Sequence, residues 1–191
     1  MPRTAETASF QFNHTMIRVR DPEVSLKFYT EIIGMDLLSK KDMGDFTLYF
    51  LAFDHGQNYK AMSEEEREKA RFAREGVLEL THNHGTEKDE SFAGYASGNS
   101  DPGRGFGHIA ITVNDVEEAC ARFEQLGVQF KKRPQDGKMR HIAFILDPDG
   151  YVISCIYMML TGYVLIRRLT LSDIGLRCYQ TGWSYDLTKI I

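Results

Sequence analysis

Cysteine is scarce in this chain, and the three that occur, Cys120, Cys155 and Cys178, cannot all pair with one another. A small and odd number of cysteines excludes a disulfide-stapled fold and is typical of proteins in the reducing cytosol. Residues 1–12 are polar and lack the apolar core of a secretory signal peptide. We therefore expect a cytoplasmic protein.

The chain also lacks an excess of positive charge and a long apolar run. Its formal net charge is −4, which argues against nucleic acid or an anionic membrane surface as the main partner. The mostly apolar segment Tyr151–Ile166 is shorter than the ~20 residues that a membrane-spanning helix needs. We expect a buried strand pair or an exposed apolar segment there rather than a membrane anchor. With 42% hydrophobic residues, the chain can bury a core.

Two segments of the sequence resemble each other position by position. His14-Thr-Met-Ile-Arg-Val-Arg-Asp21 and His108-Ile-Ala-Ile-Thr-Val-Asn-Asp115 both begin with His, alternate towards a Val, and end on Asp. Alternation of this kind indicates a half-buried strand. Because the pattern occurs twice in the same order, we expect two copies of one supersecondary unit.

Each repeated strand ends where a helix is predicted to begin. Asp21 and Asp115 are good N-cap residues, and Pro22 suits the first position of a helix. Gly34 and Gly127 are placed to end the two helices.

Further strand-like runs follow each helix, so each copy reads β-α-β-β-β and the fold class is α+β with two tandem modules. The runs are Met35–Ser39, Phe46–Phe53 and Gly76–Leu80 in the first copy, and Val128–Lys132, His141–Leu146 and Tyr151 onward in the second. The predicted organisation is an arm at 1–11, modules at 12–80 and 106–156, a polar linker at 81–105 and an atypical tail at 157–191. The charged segment Ser63–Arg74 is predicted to be a solvated helix inserted in the first module.

The equivalence of the modules places His14 and His108 at matching positions on their first strands. Glu79 lies in the apolar run Val77–Leu80, where a carboxylate is costly unless a charged group meets it. Two imidazoles and a carboxylate suit zinc, nickel or iron. On these grounds alone two interpretations are open: a metal site, or structural histidines with Glu79 paired to an arginine.

The repeat also predicts a position that matches Glu79 on the last strand of the second module. That strand follows the turn sequence Asp147-Pro-Asp-Gly150, and the matching residue is Ser154. A neutral hydroxyl is a poor metal ligand and cannot act as a base near pH 7.

Six stretches of the sequence match one family in order and spacing. They are His14–Pro22, Leu78–Asn83, Gly98–Pro102, Arg104–His108, Asp136–Met139 and Asp147–Tyr151. With them the chain resembles glyoxalase I (lactoylglutathione lyase) of the vicinal-oxygen-chelate superfamily, in its longer, eukaryotic zinc-type form. The resemblance implies a glyoxalase/bleomycin-resistance-like fold, Zn²⁺ or another divalent metal such as Ni²⁺, and a homodimer whose sites take ligands from both subunits. It implies isomerisation of the hemithioacetal of methylglyoxal and glutathione to S-D-lactoylglutathione.

The resemblance also implies roles for individual residues. His14, Glu79 and His108 would be metal ligands, and Glu79 could serve as a base. The positions that hold glutathione in the family, or lie in the loop closing over the thiol adduct, are Arg18, Asn83, Arg104, Lys132, Gly137 and Met139. Arginine is suited to recognising carboxylates, which glutathione carries.

The chain departs from the family after Tyr151. Family members continue with Trp-Ile-Glu, whose Glu is the last ligand and principal base, whereas here Ser154 stands in its place and Tyr151–Ser172 contains no Asp or Glu. General-base catalysis contributes ~10²–10⁴-fold in rate, so we expect severely impaired isomerase activity. Residues 152–191 resemble nothing in the family. One hypothesis is a frame-shifted or intron-retained product, because a shifted reading of codons for Ile174–Cys178 can give Trp-Ile-Glu-Met.

Three interpretations of the function remain open at this point. The first is a glyoxalase-type isomerase, full or impaired. The second is a non-catalytic relative that binds metal or glutathione, which Ser154 favours. The third is an iron dioxygenase, because two histidines and one carboxylate form its usual ligand set, although the glutathione-matching residues have no role in ring cleavage.

Overall fold

The computed structural model describes residues 4–157, which fold into eight strands and three α-helices. The strands are β1 His14–Arg18, β2 Asp36–Asp42, β3 Phe46–Ala52, β4 Val77–Asn83, β5 Ile109–Val113, β6 Phe130–Lys132, β7 Ile142–Leu146 and β8 Val152–Tyr157. The helices are α1 Pro22–Lys27, which continues into a π-helical turn at Phe28–Ile32, α2 Glu64–Phe72 and α3 Val116–Gln125. None of the helices in residues 4–157 is long and apolar enough to cross a membrane.

The strands form two four-stranded sheets with the same topology. The first sheet has the order β1-β4-β3-β2 and the second has the order β5-β8-β7-β6. In each sheet the first and last strands of the copy pair in parallel, and the remaining pairs are antiparallel. The α+β class with two tandem βαβββ units, predicted from the repeat, is therefore confirmed.

The helices that follow β1 and β5 begin as the sequence predicts. The Asp21 carboxylate accepts hydrogen bonds from the backbone amides of Glu23 and Val24, and Asp115 caps α3 in the same way. Gly34 and Gly127 follow these helices with φ of +90° and +71°, a left-handed conformation that glycine adopts without steric cost.

The inserted helix α2 is confirmed, but the prediction that it is solvated is wrong for one of its faces. Ser63 and Glu66 form a reciprocal capping box at its start. Near its end, the Arg71 side chain is buried and its guanidinium lies 3.9 Å from the centre of the Phe50 ring. A small apolar cluster, which includes Phe50, Tyr59 and Val77, fills the space on this side of the first sheet.

The boundary predicted for the linker needs a correction. β4 continues to Asn83, three residues into the segment 81–105, because Thr81 pairs with Arg18 of β1 and Asn83 pairs with Phe46 of β3. Of the predicted tail and the apolar run Tyr151–Ile166, residues 152–157 form β8. The rest of the tail, residues 158–191, with its frame-shift hypothesis, lies outside the described residues.

One face of each sheet contributes to a shared apolar core. Leu51, Leu80, Ile145 and Ile153, two from each sheet, are fully buried in it. α1 and the turn before β8 meet at the margin of this core, and the carboxylates of Asp147 and Asp149 accept hydrogen bonds there from groups at or near α1.

The Asp147 carboxylate is the more buried of these two acids. The Tyr29 hydroxyl donates to it at 2.8 Å, and the backbone amides of Asp149 and Tyr151 donate at 3.0 and 2.8 Å. Burial disfavours the charged form more strongly than these hydrogen bonds favour it, and raises the pKa of Asp147 to about 6.

Candidate metal centre and its two half-sites

The first half-site is formed by His14 at the start of β1 and Glu79 on β4. The His14 Nε2 atom lies 3.2 Å from the Glu79 Oε2 atom. The two side chains meet because β1 and β4 are parallel neighbours, with Met16 directly opposite Glu79 and His14 two residues earlier on the same face. The structure therefore brings together two of the three metal ligands predicted from the sequence.

Glu79 is a nearly buried acid with few partners. The residue is 9% exposed, and its Oε1 atom accepts a hydrogen bond of 3.3 Å from the Thr81 hydroxyl. Within residues 4–157, no arginine forms an ion pair with Glu79, as the alternative interpretation would require; the Arg71 guanidinium contacts the Phe50 ring and pairs with Glu68 instead. A buried carboxylate in this setting favours a cation close to Oε2.

The spacing of His14 and Glu79 fits a shared cation. Two ligand atoms at about 2.1 Å from a tetrahedral zinc ion are about 3.4 Å apart. The observed 3.2 Å between Nε2 and Oε2 is close to that separation. Imidazole nitrogen and carboxylate oxygen are also the donor types that zinc and nickel accept.

The second half-site repeats the scaffold of the first on the other sheet. His108 directly precedes β5, and Ser154 on β8 pairs with Ala110 and Phe144 just as Glu79 pairs with Met16 and Phe50. The His108 ring meets the edge of Phe144 at a centroid distance of 5.8 Å, and His14 meets Phe50 at 6.0 Å, both in T-shaped geometry. The register therefore places Ser154 at the position that matches Glu79.

His108 does not join the first half-site within one chain. Among residues 4–157, no three His, Cys, Asp or Glu side chains form a group that could hold a metal ion. His108 is exposed at the edge of the second sheet, and Ser154 beside it is buried. Each half-site thus supplies fewer ligands than a zinc ion takes from protein.

The residues predicted to contact glutathione do not contact one another in the described structure. Arg18 is exposed on β1, on the same face as His14. The Asn83 amide donates to the Tyr95 hydroxyl at 3.0 Å, and the Arg104 guanidinium pairs with Asp101 at 3.1 Å. Arg18 thus shares the strand face of His14, whereas Asn83 and Arg104 contact side chains of the segment that joins the two modules.

The predicted closing loop is held by its own lysine. The ammonium group of Lys132 donates to the carbonyls of Met139 and Ile142 at 2.8 and 3.1 Å. Gly137 turns the loop with φ of +74°, and the Met139 side chain is 52% exposed. The Lys132 ammonium group therefore ties the two ends of the loop together through these carbonyls.

Sequence reasoning missed three side chains around the first half-site. Phe50 contacts both the His14 ring and the Arg71 guanidinium. Asn13 accepts a hydrogen bond from the His14 ring at Nδ1 and donates to the end of α2. In the sequence, Asn13 stands out only as the neighbour of His14, and Phe50 only as part of the apolar run of β3. The contacts of these residues with α2 could not be predicted, because they depend on where that helix packs.

Comparison with known proteins identifies the family. The sequence model of the glyoxalase/bleomycin resistance protein/dioxygenase superfamily matches residues 11–154. A lactoylglutathione lyase of Pseudomonas putida is 53% identical over 152 residues, which cover 78% of this chain and 86% of that protein. This chain belongs to the lactoylglutathione lyase family of that superfamily.

Other members of the family agree with this assignment. A lactoylglutathione lyase of Schizosaccharomyces pombe is 49% identical over 164 residues, and the match covers 82% of this chain but 50% of that longer protein. Among solved structures, the trypanothione-dependent glyoxalase I of Leishmania major has a TM-score of 0.57 and 34% identity, and the match covers 78% of this chain and 87% of that one. The fold of the described residues is therefore that of the family.

Proposed function

We propose that this chain is a glyoxalase I that isomerises the hemithioacetal of methylglyoxal and glutathione to S-D-lactoylglutathione in the cytoplasm, with impaired turnover. The observation that carries the proposal is the pair of half-sites, His14 with Glu79 and His108 with Ser154, at equivalent positions of a family whose relatives are named lactoylglutathione lyases. The third interpretation, ring-cleaving oxygenation, has no comparable support.

The proposed active form is a homodimer. His14 and Glu79 lie on the first sheet and His108 lies on the second, with no three-ligand group within residues 4–157. A second copy that brings its second half-site against the first half-site would assemble three ligands around one ion. Two-fold symmetry would then create two such sites.

His14, Glu79 and His108 would hold the metal, which we propose to be zinc because imidazole and carboxylate ligands suit it. Bound there, the metal would supply Lewis-acid polarisation of the substrate oxygens and stabilise the developing negative charge. Arg18, Asn83 and Arg104 would recognise the carboxylates and backbone of glutathione. Lys132, Gly137 and Met139 would close over the adduct after Lys132 releases its loop carbonyls.

The reaction requires a base that removes a proton from the carbon beside the carbonyl and returns it to the neighbouring carbon. Ser154 cannot do this, because its hydroxyl holds no proton-accepting charge near pH 7. Glu79 is the remaining carboxylate, but its Oε2 atom faces His14 and its Oε1 atom accepts from Thr81. Glu79 is then the one candidate carboxylate left of the two that the family has, which supports impaired turnover.

Restoring the second carboxylate tests this proposal. We expect Ser154→Glu to raise the rate of thioester formation from methylglyoxal and glutathione by about 10²–10⁴-fold in the zinc-loaded chain. Ser154→Gln is the matched control, because it has the same shape without a base and should give no gain. The function is wrong if zinc-loaded Ser154→Glu forms no thioester above the uncatalysed background.

Subunit mixing tests the dimer in the same Ser154→Glu background. One chain carries Glu79→Ser and the other carries His108→Ala, so each is expected to be inactive alone. Random mixing should restore about a quarter of the parental activity, because half of the dimers contain one intact site. A site built within one chain would instead stay inactive after mixing.

A second candidate function is binding without turnover, which Ser154 favours. Such a protein would bind zinc and a glutathione thioether such as S-methylglutathione, and Ser154→Glu would add no activity. Calorimetric titration with S-methylglutathione, beside the thioester assay, separates this candidate from the first.

A further inference from the structure

Asn13 links the inserted helix α2 to the ring of His14. Its Nδ2 atom donates hydrogen bonds of 2.8 Å to the backbone carbonyls of both Arg71 and Arg74. Its Oδ1 atom lies 2.8 Å from the His14 Nδ1 atom. One side-chain amide thus contacts the end of α2 and the first half-site together.

The orientation of this amide is decided by its partners. Backbone carbonyls only accept hydrogen bonds, so the atom that contacts Arg71 and Arg74 must be the NH₂ group. The oxygen of Asn13 then faces His14, and an oxygen can only accept. The His14 Nδ1 atom must therefore carry the proton in this contact.

We infer that Asn13 is a positioning residue that fixes the Nδ1–H form of His14 and thereby makes Nε2 the ligand nitrogen. A neutral imidazole with its proton on Nδ1 presents its lone pair at Nε2. That lone pair points toward the Glu79 Oε2 atom, 3.2 Å away, so a proton or a metal ion must lie between these two atoms, and the proposed function places a metal ion there. The inference deepens the proposed function, because it concerns the same metal site.

The inference also gives the α2 insertion a role. Helix α2 ends at Phe72, so the Arg71 carbonyl is among the groups in its last turn that the helix leaves without a partner, and the Arg74 carbonyl follows just after the helix. Asn13 donates hydrogen bonds to both carbonyls, and these bonds hold its side-chain amide in one orientation. The second half-site has Gly107 at the position of Asn13, and no hydrogen bond to the His108 ring occurs within residues 4–157.

Two variants separate positioning of the ring from simple capping of α2. Asn13→Ala removes both functions, and we expect zinc affinity, measured by competition with a chelator, to fall about 10–100-fold. Asn13→Asp keeps an acceptor for Nδ1–H but loses the donors to the two carbonyls. We expect it to retain zinc affinity within a few-fold of the parent while its thermal midpoint falls. Equal losses of affinity in the two variants would overturn the inference.

Nitrogen-15 NMR of the histidine rings reads the tautomer directly. The Glu79→Leu background removes the carboxylate that competes for a proton on Nε2. In this metal-free chain at alkaline pH, His14, assigned with His14→Gln, should show a protonated Nδ1 and a bare Nε2, and adding Asn13→Ala should abolish this preference. Asn99→Ala is the control, because Asn99 donates to the Ser97 and Gly107 carbonyls beside the other histidine and touches no ring. A proton on Nε2 of His14 in the Glu79→Leu chain would overturn the inference, whether or not the parent binds zinc. Absence of zinc binding with the expected tautomer would instead refute only the proposed function.

Discussion

The two sheets carry the same scaffold but differ in the groups that complete it. Both place a histidine at the start of the first strand against a phenylalanine of the third strand, and both pair that phenylalanine with the position of the candidate ligand. The first sheet fills that position with Glu79 and the second fills it with Ser154. The same backbone register therefore holds a carboxylate in the first half-site and a hydroxyl in the second.

The connection before the last strand differs as well. In the first sheet, residues 53–76 form an insertion whose helix α2 anchors Asn13 beside His14. In the second sheet, residues 147–151 make a short turn whose two acids dock on α1. The first connection thus supports the candidate ligand His14, whereas the second joins the two modules.

The largest effect is expected from making the first sheet like the second. Glu79→Ser removes a ligand and the remaining candidate base, so we expect zinc affinity and residual thioester formation to fall by about 10²-fold or more. The metal-free chain should lose little stability, because the cost of burying the carboxylate offsets its hydrogen bond from Thr81 and its contact with His14. Chelator competition and thermal unfolding check both parts. Ser154→Ala is the matched change on the second sheet, and a similar loss there would contradict the asymmetry.

A smaller effect is expected where the short turn meets α1. Asp147 has a pKa of about 6 in the folded protein, above the ordinary value of 3.8. The folded state therefore binds more protons between pH ~4 and ~6, so the free energy of unfolding should fall as pH rises through that range. The free energy of unfolding should fall by at most about 3 kcal/mol over this range.

Asp147→Asn removes the titration while keeping an oxygen for the turn amides. We expect urea unfolding of this variant to show a flatter stability profile between pH 4 and 6 than the parent. Asp101→Asn, which changes an exposed aspartate paired with Arg104, should leave the slope as it is. An unchanged slope in Asp147→Asn would show that burial at this turn does not disfavour the charge.

The sequence was sufficient to predict the features that depend on periodicity. Alternation and repeat spacing predicted both βαβββ units, the caps at Asp21 and Asp115, and the equivalence of Glu79 with Ser154. The same reasoning could not predict the role of Asn13, because its partners at the end of α2 and just after it are 58 and 61 residues away and depend on how that helix packs. The sequence reasoning also predicted that α2 is solvated, because a charged helix gives no sign that Arg71 makes a buried cation–π contact with Phe50.

The smallest effect is expected at Thr81, which supports Glu79 from two residues further along β4. Thr81→Val keeps the shape but removes the hydroxyl that donates to Oε1 at 3.3 Å, a long hydrogen bond. We expect zinc affinity to fall by about 2–10-fold, as the loss of about 1 kcal/mol implies. Ile156 occupies the matching position on β8, so Ile156→Val is the control and should leave zinc affinity unchanged. In the Ser154→Glu background, Ile156→Thr should add the missing donor and raise zinc affinity by a similar factor. If it does not, the hydroxyl beside Glu79 is incidental to the difference between the two half-sites.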